Sequence, residues 1–480
     1  MATAEGLKFG TSGLRGLVTE LVGWPAHAHA LAFCHSMIES GMAEPGDPIL
    51  VGRDLRASSA QISRNCVAAI AQAGLMPVDC GEVPTPALAQ AALERDVPAI
   101  MVTGSHIPED RNGLKFYRPD GEITKDDEAG ILAAFAALSP EAGEAIEAAA
   151  DGGADTEAVQ RYKERFAGFF GPKALFGLTV GVYQHSTVSR DILVEVLQAA
   201  GARTVALGRA DHFIPVDTEA LRSEDVALAR RWAGEARLDA IVSADGDADR
   251  PLIADEAGAF IRGDLVGLIT ATYLGADAIV TPVTSNSAIE RAGSAKVLRT
   301  KVGSPFVIAG MEEAIDGGAD CVLGFEANGG VLLGSTIVRQ GRMLEALPTR
   351  DAVLPILSVL ALAKARGISL SALVASLNAT AMAGHRLKDV PSAASSAFLD
   401  MLSKDKARAA SFMAPIGSIA GISRIDGVRV TLSTGEVVHY RASGNAPELR
   451  CYIEAGSQER AATLLEWGLA AAGKFIEASR

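Results

Sequence analysis

Short apolar runs that break into glycine and polar residues recur along this chain and predict its architecture. Pro98-Ala99-Ile100-Met101-Val102 reads as a buried strand. It stops at Thr103-Gly104-Ser105-His106, turn material that carries one hydroxyl nucleophile. Asn112-Gly113 predicts a further turn just ahead of Lys115, which lies ten residues after the serine. Upstream, Ile49-Leu50-Val51 is a strand and Ser58-Ser59 can cap a helix running to Ala73. Met76-Pro77-Val78 starts another strand, which completes a βαβ rhythm.

The same pattern returns twice. From Leu175 the chain gives a strand at Leu178–Val182, a helix at Val188–Ala199 and a strand at Thr204–Leu207. It then runs through Ala240–Ala244 into Asp245-Gly246-Asp247-Ala248-Asp249-Arg250. From Gly258 onward, a helix around Val307–Ile315 leads to Cys321-Val322-Leu323-Gly324-Phe325 and then Glu326-Ala327-Asn328-Gly329-Gly330. Ala99–Ser105, Ala240–Asp247 and Asp320–Glu326 are therefore a weak internal repeat. They predict three similar α/β domains with mixed sheets, each with its working loop at the carboxyl end of a strand.

The remainder differs. Helices from Asp351 to about Leu377 are followed by a hairpin: Gly427–Leu432, a Ser433-Thr434-Gly435-Glu436 turn, then Val437–Arg441. A strand at Leu449–Glu454 and a helix at Gln458–Ala478 complete a small α+β domain. The expected division is 1–150, 151–256, 257–377 and 378–480, around a central cleft. The Ala-, Gly- and Glu-rich stretch from Leu138 to Asp155, with Ser139-Pro140, forms the first linker.

A length of 480 residues with 49% hydrophobic residues suits several packed domains. The net charge of −14 argues against nucleic acid or anionic membrane as a partner. An anionic substrate must then be met by local Arg and Lys. Cys34, Cys66, Cys80, Cys321 and Cys451 are scattered without metal spacing, as expected for reduced thiols of a cytoplasmic protein. The N-terminus has no apolar signal region, and the apolar stretch Ala352–Ala363 is too short to span a bilayer.

Asp245, Asp247 and Asp249 alternate over five residues. Carboxylates this close repel one another unless a cation sits among them, and a hard divalent ion takes oxygen ligands. An EF-hand fails as an explanation: Glu256 suits position twelve, but Arg250 stands where glycine is needed and the flanks are strand-like. Arg441-Ala442-Ser443-Gly444-Asn445-Ala446-Pro447 offers a guanidinium fork, a hydroxyl, an amide and backbone N–H groups, a set suited to phosphate. Glu326 and Asn328 suit sugar hydroxyls, although a capping turn would look the same. Gly10-Thr11-Ser12-Gly13-Leu14-Arg15-Gly16 suggests a flexible anion-contacting loop or a plain turn. It lacks the lysine and spacing of a P-loop.

Taken together, these loops resemble the α-D-phosphohexomutase superfamily, which includes the bacterial phosphoglucomutases and phosphomannomutases. The likeness covers the whole chain in loop order. Thr103-Gly104-Ser105-His106-Ile107-Pro108 is similar to the family's Thr-Ala-Ser-His-Asn-Pro. Asp245 to Arg250 differs from Asp-Gly-Asp-Gly-Asp-Arg only at Ala248. Glu326-Ala327-Asn328-Gly329 replaces the serine of Glu-x-Ser-Gly, and Arg441 to Pro447 is similar to Arg-x-Ser-Gly/Asn-Thr-Glu-Pro. Two departures stand out. Lys301-Val302-Gly303 is followed by Ser304-Pro305 where the family often has histidine. Tyr183-Gln184-His185-Ser186-Thr187 lacks an Asp-x-Gly-Asn-Gly run.

The resemblance implies that Ser105 carries a phosphoryl group and exchanges it with a hexose phosphate through a bisphosphate. It implies one Mg²⁺ held by Asp245, Asp247, Asp249 and phosphorylated Ser105, and glucose or mannose 1,6-bisphosphate as activator. Arg15 and Arg250 supply positive charge. Lys115 is the candidate base, provided neighbours such as Arg15 lower its pKa. His106 orients the serine loop. Substrate contacts fall to Arg250, Lys301, Gly303, Ser304, Glu326, Asn328, Arg441, Ser443, Gly444, Asn445 and Arg450. Mannose is favoured because the Glu326 loop resembles bacterial phosphomannomutases. A phosphoglucosamine mutase, a metal-dependent phosphatase and a non-catalytic sugar-phosphate sensor are the alternatives. The sensor predicts loss of the serine or an aspartate, and neither is lost. The expected partners are small hexose phosphates, with the chain a monomer or dimer.

Overall fold

In the computed structural model each of the three repeated runs is a fully buried strand: Ala99–Val102, Ala240–Ala244 and Val322–Phe325. The structure describes residues 6–10, 13–138, 153–293, 295–443 and 447–478. Most of the expected first linker, Thr11 and Ser12, and Gly444 and Asn445 lie outside these.

The Ala99–Val102 strand sits inside an eight-stranded sheet. Its spatial order is Lys8–Gly10, Gly13–Leu17, Arg111–Arg118, Ala99–Val102, Pro48–Arg53, Met76–Glu82 and Gly153–Ala154, with Gly121–Glu122 beside Arg111–Arg118. Burial on both faces explains why Ala99–Val102 is continuously apolar rather than alternating. Ile49, Val51, Ile100 and Val102 share a core with Phe33, Met37, Ile62 and Cys66 from helices Trp24–Glu39 and Ser59–Gln72. On the other face a side chain at Gly52 would strike Leu88 of helix Thr85–Arg95 and the sulfur of Met101.

The second sheet orders Arg203–Arg209, Thr179–His185, Ala240–Ala244 and Pro251–Ala254, parallel except for the last strand. In the third repeat Val322–Phe325 pairs antiparallel with Val331–Leu333, which pairs antiparallel with Leu347–Asp351. In all three repeats the central strand turns back through its polar loop into an antiparallel neighbour. That shared reversal places the serine, aspartate and glutamate loops at equivalent positions.

Two local expectations are corrected. Asn112-Gly113 is no turn but lies inside the strand Arg111–Arg118. A side chain at Gly113 would meet the Leu14 carbonyl at 2.4 Å and the Thr103 carbonyl at 3.0 Å, so close strand approach is what requires glycine here. The Asn112 amide donates to Ser58 and Ser59 Oγ, both at 2.9 Å. Ser58 precedes helix Ser59–Gln72 without a capping side-chain bond, and Ser59 donates to Asp54 instead.

The chain groups into two compact units, Met1–Ile279 with Gly303–Val374, and Val280–Val302 with Ala375–Arg480. The second unit contains a five-stranded antiparallel sheet. Its order is Ala381–Leu387, Leu449–Ala455, Val437–Ala442, Val428–Leu432 and Ile419–Ser423. Phe398, Tyr440, Leu464 and Ile476 lie in its core, from helices Ser392–Lys404 and Gln458–Ala478 and the sheet. Among the described residues no single helix is long and apolar enough to cross a membrane.

Candidate active site

Ser105 leaves its strand in a left-handed conformation, with φ 53°, and is 1% exposed. Its N–H donates to Thr103 Oγ1 at 2.7 Å, and Thr103 Oγ1 donates to Asp54 Oδ2 at 2.7 Å. The serine hydroxyl donates to Asp245 Oδ2 at 2.6 Å, which joins two loops 140 residues apart.

Asp245, Asp247 and Asp249 are all buried, and one oxygen from each lies within 4.8 Å of the others. The 245–250 turn closes through the Asp249 and Arg250 N–H groups, each 3.2 Å from Asp245 Oδ1. Ala248 holds φ 59°, the left-handed region that favours glycine, where the related motif carries glycine. Its methyl packs with Ala244, Ala352 and Val188. Thr85 Oγ1 donates to Asp247 Oδ2 at 2.5 Å. Asp247 Oδ1 and Asp249 Oδ1 are buried with no hydrogen-bond partner in the described structure. Unsatisfied hard oxygens beside a third carboxylate fit a divalent cation. Glu256 is not part of this cluster and instead accepts from Ser371 Oγ.

Lys115 Nζ reaches Asp247 Oδ2 and Asp249 Oδ2, both at 2.6 Å. Burial alone would lower the Lys115 ammonium, but the two carboxylates outweigh it and hold its pKa above the ordinary value. The expectation that neighbours depress this pKa is thus corrected. Burial and the adjacent Asp247 and Asp249 push the Asp245 carboxyl up. Burial acts the same way on Asp249, but Arg350, Lys115 and Arg250 overcome it and hold that carboxyl well below the usual range.

Arg250 NH1 lies 2.8 Å from His106 Nδ1, and the Ser105 hydroxyl is 3.4 Å from the same nitrogen. Burial, with Arg250 and Arg15 nearby, drives the His106 pKa down to about 2, so the imidazole is neutral. Burial and Arg250 lower Arg15 to about 10. Glu326 Oε1 accepts the Gly303 N–H at 3.0 Å. Asn328 Oδ1 accepts the Gly330 N–H at 3.0 Å and so closes its own turn. Ser304 is buried at the start of helix Ser304–Asp316 and donates to Glu122 Oε2 at 2.8 Å.

Arg350 was not singled out from the sequence. It is 3% exposed, donates to Asp249 Oδ2 at 2.8 Å through NH2, and to Glu326 Oε2 at 3.2 Å through NH1. One guanidinium therefore ties the aspartate loop to the glutamate loop. A pocket beside it is lined by Lys115, Tyr117, Glu122, Lys125, Pro305 and Arg350. Its only local signal is Thr349-Arg350-Asp351, polar residues inside a strand.

The remaining expected residues lie in the second unit. Arg441 and Arg450 are register partners on adjacent strands. Arg441 Nε donates to Asp426 Oδ2 at 2.7 Å, and the N–H of Val302, next to Lys301, donates to the same oxygen at 3.0 Å. Asp426 thereby gathers the Lys301 segment and Arg441. Ser443 follows the strand Val437–Ala442, whose loop continues into Gly444 and Asn445 beyond the described residues.

Three models of phosphoglucomutase/phosphomannomutase match this chain: α/β/α domain I over residues 6–142, α/β/α domain III over 262–380, and the C-terminal domain over 391–466. The chain belongs to the phosphoglucomutase/phosphomannomutase family. A phosphomannomutase of Sinorhizobium fredii is 49% identical, over 97% of this chain and 98% of that protein. A phosphomannomutase of Salmonella muenchen is 42% identical, over 96% of this chain and 95% of that one. The fold matches the crystal structure of a phosphoglucomutase/phosphomannomutase family protein of Burkholderia thailandensis with a TM-score of 0.77. That match covers 97% of each chain at 23% identity. Within the family, the mixed α/β sheets and the terminal α+β domain agree with the architecture expected from the sequence.

Proposed function

We propose that this enzyme moves a phosphoryl group between the 1- and 6-hydroxyls of a hexose, with mannose favoured, through phospho-Ser105. The Ser105 phosphoryl passes to the free hydroxyl of the bound monophosphate, giving a 1,6-bisphosphate. After the sugar turns over, its other phosphoryl returns to Ser105. At each transfer one P–O bond breaks and one forms, and the proton lost by the attacking hydroxyl is regained by the departing oxygen. The observation that carries this reading is the Ser105 hydroxyl 2.6 Å from Asp245, inside a buried cluster of the Asp loop, Lys115, Arg250 and Arg350.

Phosphoserine and a sugar phosphate each bring about −1.5 to −2 charges, so fixed cations are needed to bring them together. Phosphoryl transfer depends mostly on positioning and charge stabilisation. Asp245, Asp247 and Asp249, with phospho-Ser105, would hold one Mg²⁺, which neutralises charge on the transferring group when bound. Lys115, Arg15, Arg250 and Arg350 supply protein charge. Lys115 is an ammonium beside Asp247 and Asp249, and the role of base requires those carboxylates to turn away from it. Neutral His106 accepts from Arg250 through Nδ1, 3.4 Å from the Ser105 hydroxyl, a place that suits orientation of the loop. A hexose 1,6-bisphosphate would prime Ser105.

Arg441, Ser443, Gly444, Asn445 and Arg450, with Lys301, would grip the phosphate that does not react. Such a contact is made equally in ground and transition states. Arg441→Ala should therefore raise KM by about 10–100-fold, the worth of a charge-assisted bond, and leave kcat within a few-fold. Steady-state kinetics check this, and a fall in kcat at constant KM would place Arg441 at the reacting centre.

Glu326, with Asn328, Gly303 and Ser304 around it, would select the sugar. Gly303 and Arg350 hold two of its acceptor sites, Asn328 Nδ2 makes a long third contact with Oε2 at 3.5 Å, and a carboxylate has about four. We assign the remaining sites to the 3- and 4-hydroxyls, which glucose and mannose share. Tolerating a difference at carbon 2 discriminates by only about 10², whereas losing a designed hydrogen bond costs about 10⁴. Mannose and glucose 1-phosphates should react within about two decades in kcat/KM, and galactose 1-phosphate about 10⁴-fold less well. The purified chain is assayed with each 1-phosphate, glucosamine included, under equal Mg²⁺ and a trace of 1,6-bisphosphate. Release of free phosphate instead of 6-phosphate would make it a phosphatase, and no reaction at all a sensor.

A further inference from the structure

The loop that carries Ser105 is held from behind by a residue outside the cluster described above. Arg56 follows the strand Pro48–Arg53 and is 2% exposed. All of its donors are engaged. Nε donates to Asp54 Oδ2 at 3.2 Å, NH1 to the carbonyls of Pro108 at 2.7 Å and Arg111 at 3.0 Å, and NH2 to the carbonyls of Ser105 at 2.9 Å and Ile107 at 2.5 Å. One planar fork therefore gathers four backbone carbonyls between residues 105 and 111, which a lysine ammonium cannot reproduce.

Two neighbours make room for this fork and cover it. A side chain at Gly104 would lie 2.6 Å from Arg56 Cζ and 2.7 Å from Nε. Phe213, from the loop after strand Arg203–Arg209, lies over the guanidinium with its ring centroid 4.0 Å from Cζ. The left-handed backbone of Ser105 persists only while its surroundings fix it. Its N–H is fixed by Thr103 and its carbonyl by Arg56. Both peptide groups flanking the side chain are thus pinned, which sets the direction of Oγ.

We propose that Arg56 is the positioning residue of the phosphoserine loop, and that Gly104 is glycine because Arg56 occupies the space of its side chain. The proposal rests on Ser105 as the phosphoryl carrier. A serine displaced from the line of transfer binds substrate as before and reacts slowly, because small misplacements cost about 10²-fold in rate.

The test uses the full chain with mannose 1-phosphate, Mg²⁺ and a trace of mannose 1,6-bisphosphate. Arg56→Lys, Gly104→Ala, their double mutant and Ser105→Ala are compared, each below its own melting temperature. Arg56→Lys should lower kcat by about 10² with KM unchanged, and slow the labelling of Ser105 by the bisphosphate as read by intact mass. Gly104→Ala, which leaves Arg56 in the chain but displaces it, should do the same. The double mutant should be no worse than either, because both act through one contact.

A folded Arg56→Lys with normal kcat and labelling overturns the proposal, as does a rate loss matched by the loss of folded protein. Independent, multiplying effects of the two substitutions overturn it too. If Arg56→Lys does not fold, Gly104→Ala alone decides, and normal labelling there is fatal to the idea. An active Ser105→Ala would instead remove the underlying reading, so the two failures are told apart.

Discussion

Ser105→Ala is expected to lower mutase turnover by about 10⁴-fold or more, the scale on which removing a covalent nucleophile acts. No other hydroxyl can replace it from the same loop, since Thr103 Oγ1 is committed to Asp54 and to the Ser105 N–H. The fold should survive. The hydroxyl makes one strong bond, to Asp245 Oδ2, and the turn-closing bonds to Asp245 Oδ1 remain. Intact-protein mass after incubation with a 1,6-bisphosphate should show one phosphoryl group on the wild type and none on the variant. Normal turnover, or a phosphoryl group retained by the variant, would transfer the chemistry to another residue.

Asp247→Asn should have the second largest effect. The substitution removes one of three clustered charges, and its amide nitrogen is a donor where Oδ2 now accepts from both Thr85 and Lys115. Either the new N–H faces another donor, or the ring of contacts opens. Mg²⁺ affinity and kcat should fall together, each by about 10²-fold or more, beyond the loss seen when only a supporting partner of a metal ligand is changed. Calorimetric titration with Mg²⁺ and activity across a metal series check both quantities. Equal activity of the wild type in excess chelator would show that the triad is an ordinary acidic turn and holds no catalytic ion.

The three loops were legible because each is a local pattern. A run such as Ala99–Val102 is apolar at every position, and the turn after it is written in adjacent residues. Such short-range information needs no tertiary partner. The hairpin of the terminal domain was legible for the same reason, with Thr431 facing Val437 across the expected turn. Asn112-Gly113 shows the limit of that approach. Its turn propensity is local, but the close pass of the Leu14 carbonyl decided that Gly113 belongs in a strand.

Charge was less legible than fold. Sequence alone suggested Arg15 as the neighbour that tunes Lys115, and hence a lowered pKa. The structure puts two carboxylates 2.6 Å from that ammonium, which reverses the sign. Arg56 gave no signal and Arg350 only the polar run Thr349-Arg350-Asp351, because an arginine after or within a strand is usually exposed. Their burial depends on segments more than 45 residues away in the chain: Asp249 lies 101 residues from Arg350, and Ser105 lies 49 from Arg56.

By itself, then, the sequence determined the repeated α/β units, the terminal α+β domain and where polar loops interrupt the apolar strands, because apolar period and turn chemistry act between near neighbours. The tertiary structure alone decided which charges face one another, since Coulomb energy and desolvation depend on distance and burial rather than on order along the chain. It also decided which buried arginines hold the loops, because their donors reach carbonyls and carboxylates that only folding brings within 3 Å.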